Sequence, residues 1–116
     1  LFLRNAKGNK YYLITAEHNA EIDMTDIREK IGSTRLSFGS PERLIKVLKL
    51  EPGSVNPFSL INDINKEVQF FLDKSLITDQ QLNFHPNVNY KTVNISLEGL
   101  KKYLASIGVI VNLIDL

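Results

Sequence analysis

With 116 residues, 43% of them hydrophobic and 23% charged, the chain has the size and make-up of a single soluble globular domain. The lack of cysteine excludes disulfides, thiolate metal sites and a cysteine nucleophile, and no apolar run approaches the roughly 20 residues that span a bilayer. A net charge of +1 argues against bulk electrostatic capture of nucleic acid but leaves room for a local basic face.

Leu1 to Leu3 is apolar, and Tyr11 to Thr15 is aromatic and β-branched. The intervening Asn5-Ala6-Lys7-Gly8-Asn9 predicts a hairpin with Gly8 in the left-handed region. A strand that begins at Leu1 predicts further residues before it in the natural protein. Ala16 to Ile22 reads as a polar connector holding His18. Asp23 reads as an N-cap, and Met24, Ile27 and Ile31 recur at helical spacing before Gly32, which predicts a helix over 24–31. Leu36 to Phe38 reads as a brief strand. Ser40-Pro41-Glu42 then supplies a cap, a proline at the first helical position and an acid at the positive dipole end. The helix that follows is expected to bury Leu44, Ile45, Val47 and Leu48, with Arg43, Lys46 and Lys49 on a shared solvated outer face.

Pro52-Gly53 punctuates the chain as a turn. Gly53 permits positive φ, while Pro57 locks its own φ and pushes Asn56 towards extended geometry. The segment Gly53-Ser54-Val55-Asn56-Pro57 therefore reads as a short loop of defined shape, able to wall a small-ligand pocket. A helix-to-strand connector is the plainer alternative. Phe58 to Ile61 reads as a strand, joined in a hairpin to Val68–Leu72 across 62–66. Phe70 and Phe71 would face opposite sides of a strand, which makes that strand central. One turn of helix is expected within 74–82, and a loop over 83–90, where Pro86 forbids a helix through His85. Thr92 to Ile95 reads as a strand. Ser96 caps a helix with face Leu97, Leu100, Leu104 and Ile107, stopped by Gly108, and Val109 to Leu113 forms a last strand. The expected fold class is α+β: one domain, 1–116, with a mixed, mainly antiparallel, curled sheet and packed helices.

The chemistry is sparse. No glycine spacing fits a Walker or Rossmann phosphate loop. His18 and His85 are far apart, so neither a metal site nor a cofactor is expected. Ser37, Ser40 and Ser59 lack a nucleophile elbow, and Asp23, Asp63 and Asp73 have local roles, so there is no evident triad or carboxylate pair. His85, beside Pro86, is the titratable group of most interest: imidazole can donate or accept a hydrogen bond near neutral pH.

The stretch Gly53-Ser54-Val55-Asn56-Pro57-Phe58-Ser59-Leu60-Ile61-Asn62-Asp63 resembles the Gly-x-x-x-Pro loop of YbaK/ProX-type aminoacyl-tRNA editing domains. Four further blocks agree in the same order: Leu1-Phe2-Leu3-Arg4 with Lys7-Gly8 and Tyr11-Tyr12-Leu13; Arg35 to Ser40 with Glu42-Arg43-Leu44; Asn83-Phe84-His85-Pro86-Asn87; and Leu113-Ile114-Asp115-Leu116. The similarity covers essentially the whole chain and is nearest to free-standing ProX-like prolyl-tRNA editing proteins. It implies a cytoplasmic, membrane-free hydrolase that removes a wrong amino acid, alanine above all, from the tRNA for proline. It implies tRNA as partner, with prolyl-tRNA synthetase as a second candidate partner. A non-catalytic module of the same fold that binds aminoacyl-tRNA or a synthetase is the alternative. The substrate site implied is Gly53, Ser54, Val55, Asn56, Pro57 and His85, with backbone N–H groups of Gly53 to Asn56 as donors. Arg43, Lys46 and Lys49 would then be candidates for tRNA phosphates. The family also carries a functional lysine just before the Leu-Phe-Leu block. That position precedes Leu1, so no catalytic side chain is assigned here, and the chain as given is expected to be truncated and impaired.

Overall fold

The computed structural model describes residues 1–16, 21–51, 56–84 and 93–116. Along the described chain come β1 (Phe2–Arg4), β2 (Tyr11–Thr15), α1 (Met24–Ile31), β3 (Ser37–Phe38) and α2 (Pro41–Leu48). A 3₁₀ helix, Pro57–Asn62, precedes β4 (Val68–Asp73), and a second, Lys74–Leu76, precedes β5 (Ile77–Thr78) and β6 (Gln81–Phe84). The last elements are β7 (Val93–Ser96), α3 (Leu97–Ser106) and β8 (Val111–Ile114).

Helix boundaries follow the local chemistry. Asp23 accepts from the N–H groups of Thr25 and Asp26, and Gly32 closes α1 at φ 71°. Ser40 accepts from Arg43 N, with Pro41 opening α2. Ser96 accepts from Gly99 N at the start of α3. Gly8, at φ 70°, makes the β1–β2 turn.

The main sheet has the order β3-β1-β2-β4-β8. β1 pairs antiparallel with β2 and β3, whereas β4 is parallel to both β2 and β8. A smaller antiparallel sheet has the order β5-β6-β7. The sheet separates two cores. Tyr11, Leu13, Phe70 and Leu72 lie with Leu44, Val47, Leu48, Leu60, Leu100 and Leu104 on the face covered by α2, α3 and the first 3₁₀ helix. Tyr12 and Ile14 lie with Ile27 and Leu36 on the α1 face, with Phe71 packed against them. The period-two alternation along β2 thus feeds both cores.

Several expectations are corrected. Phe58–Ile61 is not a strand: Asn56 caps the segment by accepting from Phe58 N, Pro57 supplies a pre-set φ, and Pro57–Asn62 winds as a 3₁₀ helix that buries Pro57, Ser59 and Leu60. A short apolar run carries no periodicity that could decide between the two. There is accordingly no hairpin with Val68–Leu72, and β4 finds its partners in β2 and β8. Asn83 and Phe84 belong to β6 rather than to a loop. The β5–β6 turn is formed by Asp79 and Gln80, both at positive φ (52° and 63°), without the glycine that would announce it. Ile45 is 50% exposed, because the buried stripe of α2 runs through Leu44, Val47 and Leu48.

One buried acid organises the entry to the central strand. Asp63, 2% exposed, accepts from Glu67 N (3.0 Å) and Val68 N (2.9 Å). Each buried donor left without a partner costs about 1–3 kcal/mol. Asp63→Ala is therefore expected to lower the unfolding free energy by an amount in that range or above, read as a lower denaturant midpoint at an unchanged m-value. An unaltered midpoint would show that this turn adds nothing to stability.

Candidate active site

The candidate loop joins α2 to the first 3₁₀ helix, and the described residues at its two ends are firmly held. α2 stops at Lys49, which adopts φ 59° and donates its N–H to Ile45 O. Asn62 reaches back from the end of the 3₁₀ helix and donates from Nδ2 to Leu48 O at 3.0 Å. The departing and returning chain are thereby pinned together. Asn56 is extended (φ −152°, ψ 161°), as its place before proline demands. Its Oδ1 accepts from Phe58 N at 3.0 Å, and its carbonyl accepts from both Ser59 N and Ser59 Oγ. Pro57 is fully buried. Phe58 meets the Tyr103 ring edge-on at 5.5 Å, and Tyr103 OH donates to Phe58 O at 3.3 Å. Asn56 and Pro57 thus stand on a ledge fixed against α3.

Gly53, Ser54, Val55 and His85 lie outside the described residues, as does His18. The other groups weighed from sequence are engaged locally: Ser40 caps α2, Ser59 bonds to Asn56, and Asp73 accepts from Ser75 N and Oγ. Among the described residues no group of three His, Cys, Asp or Glu could hold a metal ion, and no helix is long and apolar enough to cross a membrane.

Arg43 departs from the outer face it was expected to share with Lys46 and Lys49. Its guanidinium turns inward, donating to Gly8 O (3.0 Å) and Tyr11 OH (2.7 Å) and lying 5.9 Å from the centre of the Tyr11 ring. Lys46 and Lys49 remain exposed and border a concavity of ≈210 Å³ with Asn62, Asn65 and Glu67. Sequence reasoning missed Asn62 and Tyr103. Their bonds reach across 14 and 45 residues to backbone carbonyls, and no local spacing signals such a contact.

The sequence pattern of the aminoacyl-tRNA editing domain family matches residues 1–103. The chain belongs to that family. Over 108 residues this editing domain is 45% identical to the prolyl-tRNA editing protein ProX of Acetoanaerobium sticklandii, covering 93% of this chain and 66% of that protein. Over 112 residues it is 30% identical to prolyl-tRNA synthetase associated domain-containing protein 1 of Mus musculus, again covering 93% and 66%. The chain therefore spans just under two thirds of the length of these relatives. Similar folds occur in the crystal structure of hypothetical protein APE2540 (TM-score 0.66, 12% identity, 97% of this chain and 69% of that one). They occur also in a scaffold from a study of epitope backbone grafting (TM-score 0.70, 18% identity, 100% and 67%). The editing domain is of the YbaK/ProX type, and its α+β fold agrees with that expected from sequence.

The Asn62 clasp can be tested directly. Asn62→Ala removes one hydrogen bond of the kind that contributes about 0.5–1.5 kcal/mol. It is expected to speed amide exchange at Lys49 and Leu50 while β2 and β4 keep their protection. Equal exchange at Lys49 and Leu50 in both proteins would show that the loop base is held by other contacts.

Proposed function

We propose that this editing domain acts in trans as an aminoacyl-tRNA deacylase on mischarged tRNA for proline, with the alanyl ester as its substrate. The observation that carries this reading is the 45% identity, along 93% of the chain, to a protein named as a prolyl-tRNA editing protein. The name of the mouse relative supports prolyl-tRNA synthetase as a further partner.

In this proposal water attacks the ester carbonyl, the bond from the carbonyl carbon to the ribose oxygen breaks, and that oxygen takes a proton. Free amino acid and tRNA leave. The chain offers no recognisable triad, so the neighbouring ribose hydroxyl of the terminal adenosine helps position the water. The protein orients the ester and stabilises the developing negative charge through preorganised donors. Backbone N–H groups of Gly53, Ser54, Val55 and Asn56 are the proposed donors. Val55 and Pro57 are the residues proposed to limit the size of the pocket. A pocket too small for proline supplies discrimination that one binding step cannot, since small apolar groups differ by only about 1–3 kcal/mol. The chain spans just under two thirds of the length of its curated relatives, and the proposed activity is that of the full-length protein.

Deacylation of alanyl- and prolyl-tRNA for proline by the full-length protein tests the reading. Rapid loss of alanine and sparing of proline are expected. Equal rates would sink the size argument, and tRNA binding without hydrolysis would favour a non-catalytic module.

His85 is assigned a hydrogen-bonding and shape-setting role. His85→Ala should reduce turnover by about tenfold, as for one neutral hydrogen bond, and should alter the preference between alanyl and seryl esters. A uniform loss beyond about a thousandfold, the range expected for a positioned general base, would make His85 catalytic instead.

A further inference from the structure

The net charge of +1 conceals a segregation along the chain. Residues 1–16 contain Arg4, Lys7 and Lys10 and no acid; residues 30–41 contain Lys30 and Arg35 and no acid. The fold brings these two segments together at one border of the main sheet. β1 pairs with β3, Arg4 opposite Ser37 and Leu3 opposite Phe38. The hairpin turn is tied to the α1–β3 connection by Ala6 N, which donates to Thr34 Oγ1 at 3.1 Å.

This border is preorganised. The buried Asn5 accepts through Oδ1 from Asn9 N (3.1 Å) and Lys10 N (3.2 Å), and donates from Nδ2 to Asn9 Oδ1 (2.8 Å). Arg4 folds back over the same turn towards the carbonyls of Asn5 and Ala6. Lys7, Lys10 and Arg35 are exposed. The ion pairs among the described residues are Lys30–Asp26 and Lys101–Glu98, so these three cations have no acidic partner among the described residues, whereas Lys30 does. Glu42 follows in the first turn of α2, and Glu67 borders the turn where its carbonyl accepts from Tyr11 N. On the same border, on the edge strand and paired with Leu3, Phe38 is 61% exposed. Cations carried on a fixed turn suit a polyanion, because the backbone that presents them needs no ordering on binding. An exposed aromatic ring on the same border suits a polyanion that carries bases.

We infer that the β3–β1 border, with Arg4, Lys7, Lys10 and Arg35, receives the phosphate backbone of the tRNA, and that Phe38 gives a stacking plane for an unpaired base. The inference rests on the proposed tRNA substrate and names the face that meets it. Phosphate contacts of this kind position a substrate without touching the reacting ester. They therefore act on KM and leave the turnover of bound substrate alone.

The test compares the full-length protein with the K7A/K10A/R35A variant, using Phe38→Ala and Phe38→Tyr as a second pair and K101A/K102A as the control. Binding of uncharged tRNA is measured across salt concentrations, and deacylation kinetics are measured on the charged tRNA. Losing three phosphate contacts should lower the slope of log affinity against log salt by about two to three and weaken binding by about tenfold or more. KM should rise with kcat unchanged, and the control should match the parent protein. Phe38→Ala should weaken binding several-fold with no change in salt slope, and Phe38→Tyr should restore it. If the parent binds tRNA through these residues but hydrolyses no ester, this inference stands and the deacylase reading falls. If the parent deacylates and the folded triple variant keeps its salt slope and KM, the inference is overturned. An acidic protein partner would then become the candidate for this border.

Discussion

The parallel pairing of β2 with β4 is the constraint on which the rest of the structure depends. Tyr11 lies opposite Val68 and Thr15 opposite Leu72, at the middle of the five-stranded sheet. Both strands bury side chains on both faces, Phe70 into one core and Phe71 against the other, where it meets Tyr12 at 6.3 Å. Two parallel neighbours cannot be joined by a tight turn; the chain must cross over. The crossover from β2 to β4 carries α1, β3, α2 and the candidate loop. The crossover from β4 to β8 carries the small sheet and α3. The residues proposed for the substrate site therefore fall, in chain order, within the two crossovers, the kind of connection on which binding residues concentrate.

Arg43 couples one of these connections to the sheet. It sits in the first part of α2, yet its guanidinium lies over Tyr11, which in turn stacks on Phe2 at 5.2 Å. Gly8 makes room for this arrangement: a Cβ there would lie 2.8 Å from Arg43 Nη1, at a φ of 70° that L residues rarely adopt. The hairpin turn, the sheet and the helix leading into the candidate loop are thus held by one side chain. A guanidinium suits the position because it donates to two oxygens and lies over an aromatic face at once. At the far end of α2, Asn62 repeats the device by holding Leu48 O.

The distribution of charge shows why bulk composition is a weak guide to partners. A near-neutral chain can present a cationic border when acids and bases occupy different segments and the sheet gathers the basic ones. Strand pairing between β1 and β3 achieves this here, together with the bond from Ala6 to Thr34. The acid-free character of residues 1–16 and 30–41 is visible in the sequence, but their adjacency is a product of the fold.

What the sequence alone determined was local. The caps at Asp23, Ser40 and Ser96, the stop at Gly32 and the turn at Gly8 were legible because each depends on a side chain and backbone only a few residues apart. The two-sided burial of Phe70 and Phe71 was legible because strand geometry alone alternates neighbours. The extended Asn56 was legible for the same reason, since Pro57 imposes it. What only the tertiary structure decided was how these pieces meet. The winding of Pro57–Asn62, the parallel partners of β4, the inward turn of Arg43 and the reach of Asn62 and Tyr103 all depend on contacts many residues away. A side chain that can serve equally on a solvated helix face or in a clasp carries no mark of its choice in its neighbours. The deciding energy comes from groups that become adjacent only when the sheet has formed.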